Sequence, residues 1–401
     1  MIIPTANRLH TVPEYYFSHK LREIKQRVAR GEDILNLGIG SPDLDPPEAF
    51  KKELIRKVAE PGLHAYQPYK GIPELRSAFA DFYSRMYGVL LNPENEIQPL
   101  MGSKEGIMHI SLAFLNPGDQ VLVPDPGYLT YGSVSKLVGA EVIPYDLDAA
   151  NDWEPNWLQL EAMDLSKVKL MWVSYPNMPT GAPGSTELFD KLIAFARQHK
   201  ILLVNDNPYS LIRSQQPASI LSHPEARELA IELNSMSKSH HIAGWRVGVV
   251  VGDADYIQAV LQVTSNMASG MGRPLQEAAA HILKQDYAWH IEQNSLYESR
   301  FQLAMQIMDT LGCTYEENQT GMFLWAKIPD WAPNSEVFSN QILDEAFVFL
   351  TPGFIFGNNG EGYMRISLCS PLHHFEVALE RVQQFAQTHG ISSRAISLNK
   401  S

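Results

Sequence analysis

The chain has 401 residues, 45% hydrophobic and 19% charged, with a net charge of −13 at pH 7. That length exceeds what one hydrophobic core usually supports, so two domains are expected. The acidic balance argues against binding nucleic acid or an anionic membrane surface through the overall field, and no stretch reaches the roughly 18 apolar residues of a membrane span.

From the N-terminus, MIIPTANRLHTVPEYYF lacks the basic and apolar regions of a secretory signal, and a cytoplasmic protein is expected. In NLGIGSPD, Gly38 and Gly40 do not form a dinucleotide fingerprint, because no third glycine opens a helix at the required offset. In MGSKEGI, Gly102, Ser103 and Lys104 precede the helical stretch EGIMHISLAFL. Backbone N–H groups at a helix start attract phosphate, and glycine permits close approach.

Short apolar runs then recur: QVLVP (120–124), EVIPY (141–145), VKLMWVSY (168–175), ILLVND (201–206) and RVGVVVG (246–252). Runs apolar on both faces suit strands of a parallel sheet covered by helices. Between two of them, STELFDKLIAFARQHK places Leu188, Phe189, Leu192, Ile193, Phe195 and Ala196 on one helical face, with Ser185 as N-cap. Strand, helix, strand is a βαβ unit, and its chemistry belongs beyond the carboxyl ends of the strands. The expected fold is α/β, with a mostly parallel central sheet. From Asp286 a long amphipathic helix, DYAWHIEQNSLYESRFQLAMQIMDTL, leads to strand-like GMFLWAKI and GYMRISLC and helical FEVALERVQQFAQTH, a smaller α+β domain. Residues 46–290 form the large domain in this division, and 1–45 with 291–401 the small one. The final ISSRAISLNKS reads as a weakly ordered tail. Cys313 and Cys369 lie far apart without metal-ligand spacing, so reduced thiols are expected and no metal site. Adjacent His240 and His241 lack a third ligand at suitable spacing.

The most informative stretch is NSMSKSHHIAGWRVGVVVG, from Asn234 to Gly252. Lys238 follows a strand-like run, Ser235 stands three residues before it, and Arg246 eight residues after it. An amine, a hydroxyl and a guanidinium meeting at a sheet edge suit an anion together with a carbonyl. Taken with VSYPNMPTG, VNDNPY and MGSKEGI, this stretch resembles the class I/II aminotransferases of fold type I, the aspartate aminotransferase superfamily. Ser235, Ser237, Lys238, Gly244, Arg246 and Gly248 match the family's lysine motif, and the likeness runs from about Asn36 to Ser370.

The resemblance implies pyridoxal 5′-phosphate as cofactor and a double displacement between an amino acid and a 2-oxo acid. Lys238 would form the Schiff base and shuttle the proton. Asp206 would face the pyridine nitrogen, and the Tyr209 hydroxyl the ring 3′-oxygen. Gly102, Ser103, Lys104, Ser235, Ser237 and Arg246 would form the phosphate and cofactor cradle, with Tyr128 stacked on the ring. Arg365 would grip the substrate α-carboxylate, with the Gly40 backbone beside it. Tyr66 would reach the neighbouring subunit's phosphate, implying a homodimer with shared sites, and Ser269 and Gly270 match a segment near that interface. The family motif normally has asparagine where this chain has Met178. Asn177, one position earlier, is the substitute candidate for the cofactor, since a thioether donates no hydrogen bond. Carbon–sulfur lyases share this fold and lysine and stand as the alternative. Tyr15 or Tyr16 is a candidate for side-chain specificity.

Overall fold

The computed structural model describes residues 2–12, 14 and 16–391. All of the expected tail but Ile391 lies outside them, as does Tyr15. Helix α1 (Tyr16–Ala29) leads to the two-residue strand β1 (Leu35–Asn36). Next come α2 (Glu48–Val58), α3 (Pro73–Tyr87), β2 (Ile97–Leu100), α4 (Ser103–Phe114), β3 (Gln120–Asp125), α5 (Leu129–Leu137) and β4 (Glu141–Asp146). They are followed by α6 (Trp157–Ala162), β5 (Val168–Val173), α7 (Thr186–His199), β6 (Leu202–Asp206), β7 (Ala230–Ser235), the short α8 (Met236–Ser239) and β8 (Gly248–Gly252). Helices α9 (Ala254–Met267), α10 (Arg273–Leu283) and α11 (Ala288–Thr310) lead to β9 (Phe323–Lys327), α12 (Ser335–Ala346), β10 (Val348–Phe349), β11 (Thr351–Pro352), β12 (Tyr363–Ser367) and α13 (Leu372–His389).

Seven strands form one sheet in the order β2-β8-β7-β6-β5-β3-β4. Strand β8 pairs antiparallel with both β2 and β7, while the remaining pairings are parallel. Strands β6, β7 and β8 are buried along their whole length, because helices cover both faces of the sheet. In α7 the six named apolar residues are buried, and Ser185 Oγ accepts from Leu188 N at 3.0 Å.

Two expectations need correction, and one strand was not expected. EVIPY is the edge strand β4, with Glu141 and Pro144 exposed, rather than a strand buried on both faces. RVGVVVG runs against its neighbours, and its strand begins at Gly248; Arg246 precedes it in a left-handed turn with φ 57°. Strand β2, IQPL, had no counterpart in the sequence reading.

Beyond the main sheet, β9, β11 and β12 form a three-stranded antiparallel sheet, and β1 pairs in parallel with β10. The segment after β1 is stitched into this C-terminal part. Ser367 N donates to Leu37 O at 2.7 Å, Thr351 Oγ1 to Gly38 O at 2.8 Å and Ser367 Oγ to Ile39 O at 2.8 Å. Arg300, buried in α11, adds a bidentate pair with Asp43 at 2.7 and 2.8 Å. One apolar cluster runs from Leu122 and Met171 of the main sheet to Trp325 and Ile366 of the small one.

Candidate active site

The parallel strands end at one edge of the main sheet, and the reversed β8 begins there. Residues from ten chain segments meet there around a cavity of about 340 Å³. Gly40, Ser103, Lys104, Tyr128, Asp206, Tyr209, Ser235, Ser237, Lys238, Arg246 and Arg365 all line it. The sheet edge thus brings together most of the residues singled out from the sequence.

Lys238 rises from α8, a single turn capped by Ser235 Oγ, which accepts from Ser237 N at 3.2 Å. Its Nζ donates to Gly40 O at 2.5 Å. The Gly40 carbonyl therefore serves the lysine in this structure. A Cβ at Gly40 would overlap the Phe323 ring, so only glycine brings the backbone this close. Burial holds the Lys238 amine below the ordinary lysine value; Cys369 opposes this, and the Arg365 and Arg246 guanidiniums add to it.

Asp206 ends β6 and is buried. Its Oδ2 accepts from Tyr131 OH at 2.8 Å, while Oδ1 is buried with no hydrogen-bond partner. Burial pushes its carboxyl up to about 6, against the lowering effect of the Tyr131 hydrogen bond. Tyr209 is half-buried against the Phe323 ring, and burial raises its phenol above the ordinary value. The hydroxyl is a donor throughout the physiological range.

At the start of α4, Gly102 takes φ 86°, and a Cβ there would overlap the Arg246 guanidinium. Glycine and the strained Arg246 backbone, a conformation costing about 1–3 kcal/mol, bring guanidinium and helix start together. Arg246 Nη1 donates to Ala243 O at 2.9 Å and to Ser237 Oγ at 3.3 Å. Lys104 Nζ lies 5.9 Å from the centre of the Tyr128 ring.

Arg365, on β12, is buried among aromatic rings. Its guanidinium carbon lies 4.0 Å from the Phe323 centroid, 4.6 Å from Phe356 and 5.8 Å from Phe17. It donates to Gly38 O at 3.0 Å and to Met178 Sδ at 3.3 Å. Met178 lines the cavity, and Asn177 does not. The Asn177 oxygen instead accepts from Thr180 Oγ1 at 2.8 Å and Thr180 N at 3.3 Å, and its amide nitrogen is buried without a partner. Tyr66 also stands outside the cavity, 90% exposed. Gly270 packs against the backbone of Gln67 and Pro68 beside it.

The sequence reading missed Tyr131, which stacks on Trp172 at 4.9 Å while holding Asp206, and Ser174, whose Oγ donates to Asp206 O at 3.0 Å. Tyr131 stands three residues after Tyr128, one helical turn on, a spacing that places both on one side of the chain. Phe17 lines the cavity, whereas Tyr16 packs on Phe354 at 5.3 Å, its hydroxyl buried and without a partner. His240 and His241 join an aromatic cluster with Trp289, His290 and Tyr297. Burial lowers the imidazoles, His241 and His290 to about 4, so they stay neutral. Among the described residues no group of three or more His, Cys, Asp or Glu is placed to hold a metal, and no helix is long and apolar enough to cross a membrane.

Known proteins share both sequence and fold with this chain. The pattern of the family described as aminotransferase class I and II matches residues 32–382. An LL-diaminopimelate aminotransferase of Dehalococcoides mccartyi is 36% identical over 385 residues, covering 95% of this chain and 98% of that protein. The apo structure of BacF from Bacillus subtilis superposes with a TM-score of 0.91 at 35% identity, covering 96% of this chain and 98% of that one. Thermus thermophilus aspartate aminotransferase with maleate gives 0.88 at 26% identity, covering 95% and 99%. These likenesses extend over nearly all of the chain. The chain belongs to the class I and II aminotransferase family, pyridoxal-phosphate enzymes of fold type I, and it moves amino groups between an L-amino acid and a 2-oxo acid by double displacement.

Proposed function

We propose that this aminotransferase holds pyridoxal 5′-phosphate in the cavity at the sheet edge through Lys238, with LL-diaminopimelate as its amino donor. The observation that carries the site is the Asp206 carboxylate, whose buried Oδ1 has no partner in a cavity that also holds the lysine amine. A buried acceptor of this kind suits a protonated ring nitrogen. The α4 start with Gly102, Ser103 and Lys104, together with Ser235, Ser237 and Arg246, offers donors for a phosphate. Tyr209 is the donor for the 3′-oxygen and Tyr128 the ring neighbour, while Asn177 is left to hold the turn that carries Met178.

When bound, pyridoxal phosphate supplies an aldehyde for amines and a protonated ring that takes up the electron pair freed at the substrate α-carbon. Arg365 fixes the α-carboxylate and so selects which bond at that carbon stands ready to break. Burial and the Arg365 and Arg246 guanidiniums lower the basicity of Lys238 Nζ, the group placed to take the α-proton and return it two atoms along, beyond the shared nitrogen. Phe17, Phe323 and Phe356 close the apolar side and keep water from the exchange.

Arg365→Lys should raise the KM for the amino donor roughly 10- to 100-fold with a smaller change in kcat, since a hydrogen bond to a charged group contributes about 1.5–3 kcal/mol. An unchanged KM would remove Arg365 from carboxylate binding. The donor assignment draws on the names of the relatives, several of them 34–37% identical LL-diaminopimelate aminotransferases. Its test is a screen of LL-diaminopimelate, aspartate, alanine and aromatic amino acids against pyruvate and 2-oxoglutarate. A faster half-transfer from any other donor would displace LL-diaminopimelate.

The enzyme works as a homodimer in this reading, with Tyr66 of each subunit completing the other's phosphate site. Support comes from its exposure and that of Tyr69, three residues on, and from Gly270, which packs against the Gln67 and Pro68 backbone between them. Tyr66→Phe should weaken cofactor binding several-fold without changing the mass in solution, which mixing with a Lys238→Ala subunit would confirm by complementation. A large domain of residues 46–290 and a small one of 1–45 with 291–401 complete the proposal, in a cytoplasmic protein whose buried Cys313 and Cys369 stay reduced.

A further inference from the structure

Behind the site lies a carboxylate that no step above employs. Glu232 sits fully buried on β7, directly opposite Asn205 in the parallel ladder to β6. Its Oε2 accepts from Asn205 Nδ2 at 2.9 Å and from Ile220 N at 3.2 Å. Its Oε1 accepts from Tyr83 OH at 3.0 Å, Ser219 Oγ at 3.0 Å and Asn207 Nδ2 at 3.3 Å. Side chains alternate along a strand, so Asn205 and Asn207 share one face and Asp206 points from the other. One carboxylate therefore grips both neighbours of the residue that faces the cavity. Asn205 carries the hold further: its Oδ1 accepts from Tyr175 N at 3.1 Å, at the head of the turn bearing Met178.

We propose that Glu232 is a positioning residue that, by clamping Asn205 and Asn207, fixes the end of β6 so that Asp206 stays aimed into the cavity. The inference rests on Asp206 as the partner of the cofactor ring. A desolvated carboxylate is costly to bury, and five donors converging on it offset that cost. The partners explain why an acid stands there. Asn205 cannot turn its amide without losing Tyr175 N, and Asn207 Nδ2 also donates to Ala218 O at 2.9 Å. An amide at 232 satisfies Oε2's two donors with its oxygen, and the hydroxyls of Tyr83 and Ser219 turn to accept. Its NH2 then meets Asn207 donor to donor, and that arm of the clamp opens.

The test is the dissociation constant of pyridoxal phosphate, from absorbance titration of the apo dimer, in wild type, Glu232→Gln, Asp206→Asn and the double variant. Glu232→Gln should weaken binding roughly tenfold, the equivalent of one hydrogen bond, and the double variant should bind no worse than Asp206→Asn. A loss that multiplies in the double variant, or a Glu232→Gln that melts lower yet binds as wild type, overturns the clamp while leaving the reading of Asp206 intact. Unchanged affinity in Asp206→Asn overturns that reading and the clamp with it. Should Glu232→Gln fail to fold, Asn207→Ala opens the same arm directly and enters the same comparison.

Discussion

Lys238→Ala should abolish amino transfer, lowering the rate by roughly 10⁴-fold or more, because covalent attachment and proton shuttling are lost together. The amine is the basic group that reaches Gly40 O, and alanine leaves that carbonyl without its donor. Borohydride should fix pyridoxal phosphate to the wild-type chain and leave the variant unlabelled. Lys238→Arg keeps a positive charge yet should be equally inactive, because a guanidinium stays protonated and gives up no proton at neutral pH. A variant lacking this amine that still traps the cofactor would place the attachment elsewhere.

Asp206→Asn should slow transfer by roughly 10²–10³-fold, the size of effect seen when one preorganised electrostatic partner is removed. The same change should act in the opposite direction on the apo protein. The folded-state carboxyl is raised to about 6 from 3.8, worth roughly 3 kcal/mol in favour of the neutral form. A group raised in this way contributes stability below the unfolded value that is lost as pH climbs through the folded one. Apo wild type should therefore weaken between pH 4 and pH 7 relative to apo Asp206→Asn, and the asparagine variant should melt higher at pH 8. Cofactor should reverse that order, since a protonated ring gives the wild-type charge a partner. Melting curves at pH 4.5 and pH 8, with and without pyridoxal phosphate, read all four cases. Equal apo melting temperatures at both pH values would mean that Asp206 carries no burial penalty.

What was readable in the sequence was what local pattern and motif spacing determine. The β5 and β6 runs are apolar on both faces because helices cover both, and α7 announced itself through its apolar stripe and the Ser185 cap. The lysine stretch was legible because glycines, hydroxyls and Arg246 sit at spacings that few other sites need. Strand β2 escaped notice because four residues containing Pro99 carry little periodicity. The exposure of β4 escaped it because edge position is a property of strand order, not of the strand itself. Asn177 was the natural substitute for a missing asparagine, yet a short amide beside Thr180 bonds its own turn first. Tyr131 reads as core packing until its hydroxyl is found on Asp206. Glu232 left a signal that went unused, an acid between Ile231 and Leu233 in a strand buried along its whole length.

The stitching of residues 35–43 into the C-terminal part sets the order in which the enzyme becomes competent. Gly38 and Thr351 are joined across 313 residues of sequence. A ribosome delivering the chain from its N-terminus releases Lys238, Asp206 and the seven-stranded sheet well before Thr351 and Arg365 emerge. Residues 35–39 gain these partners only when nearly all of the chain has been made, although Asn7–Thr11 ahead of them pack on α5 of the main-sheet part. Nascent chains halted before residue 340 should then accept the vitamin-derived group weakly and discriminate no amino acid, substrate selection arriving only with the final sixty residues.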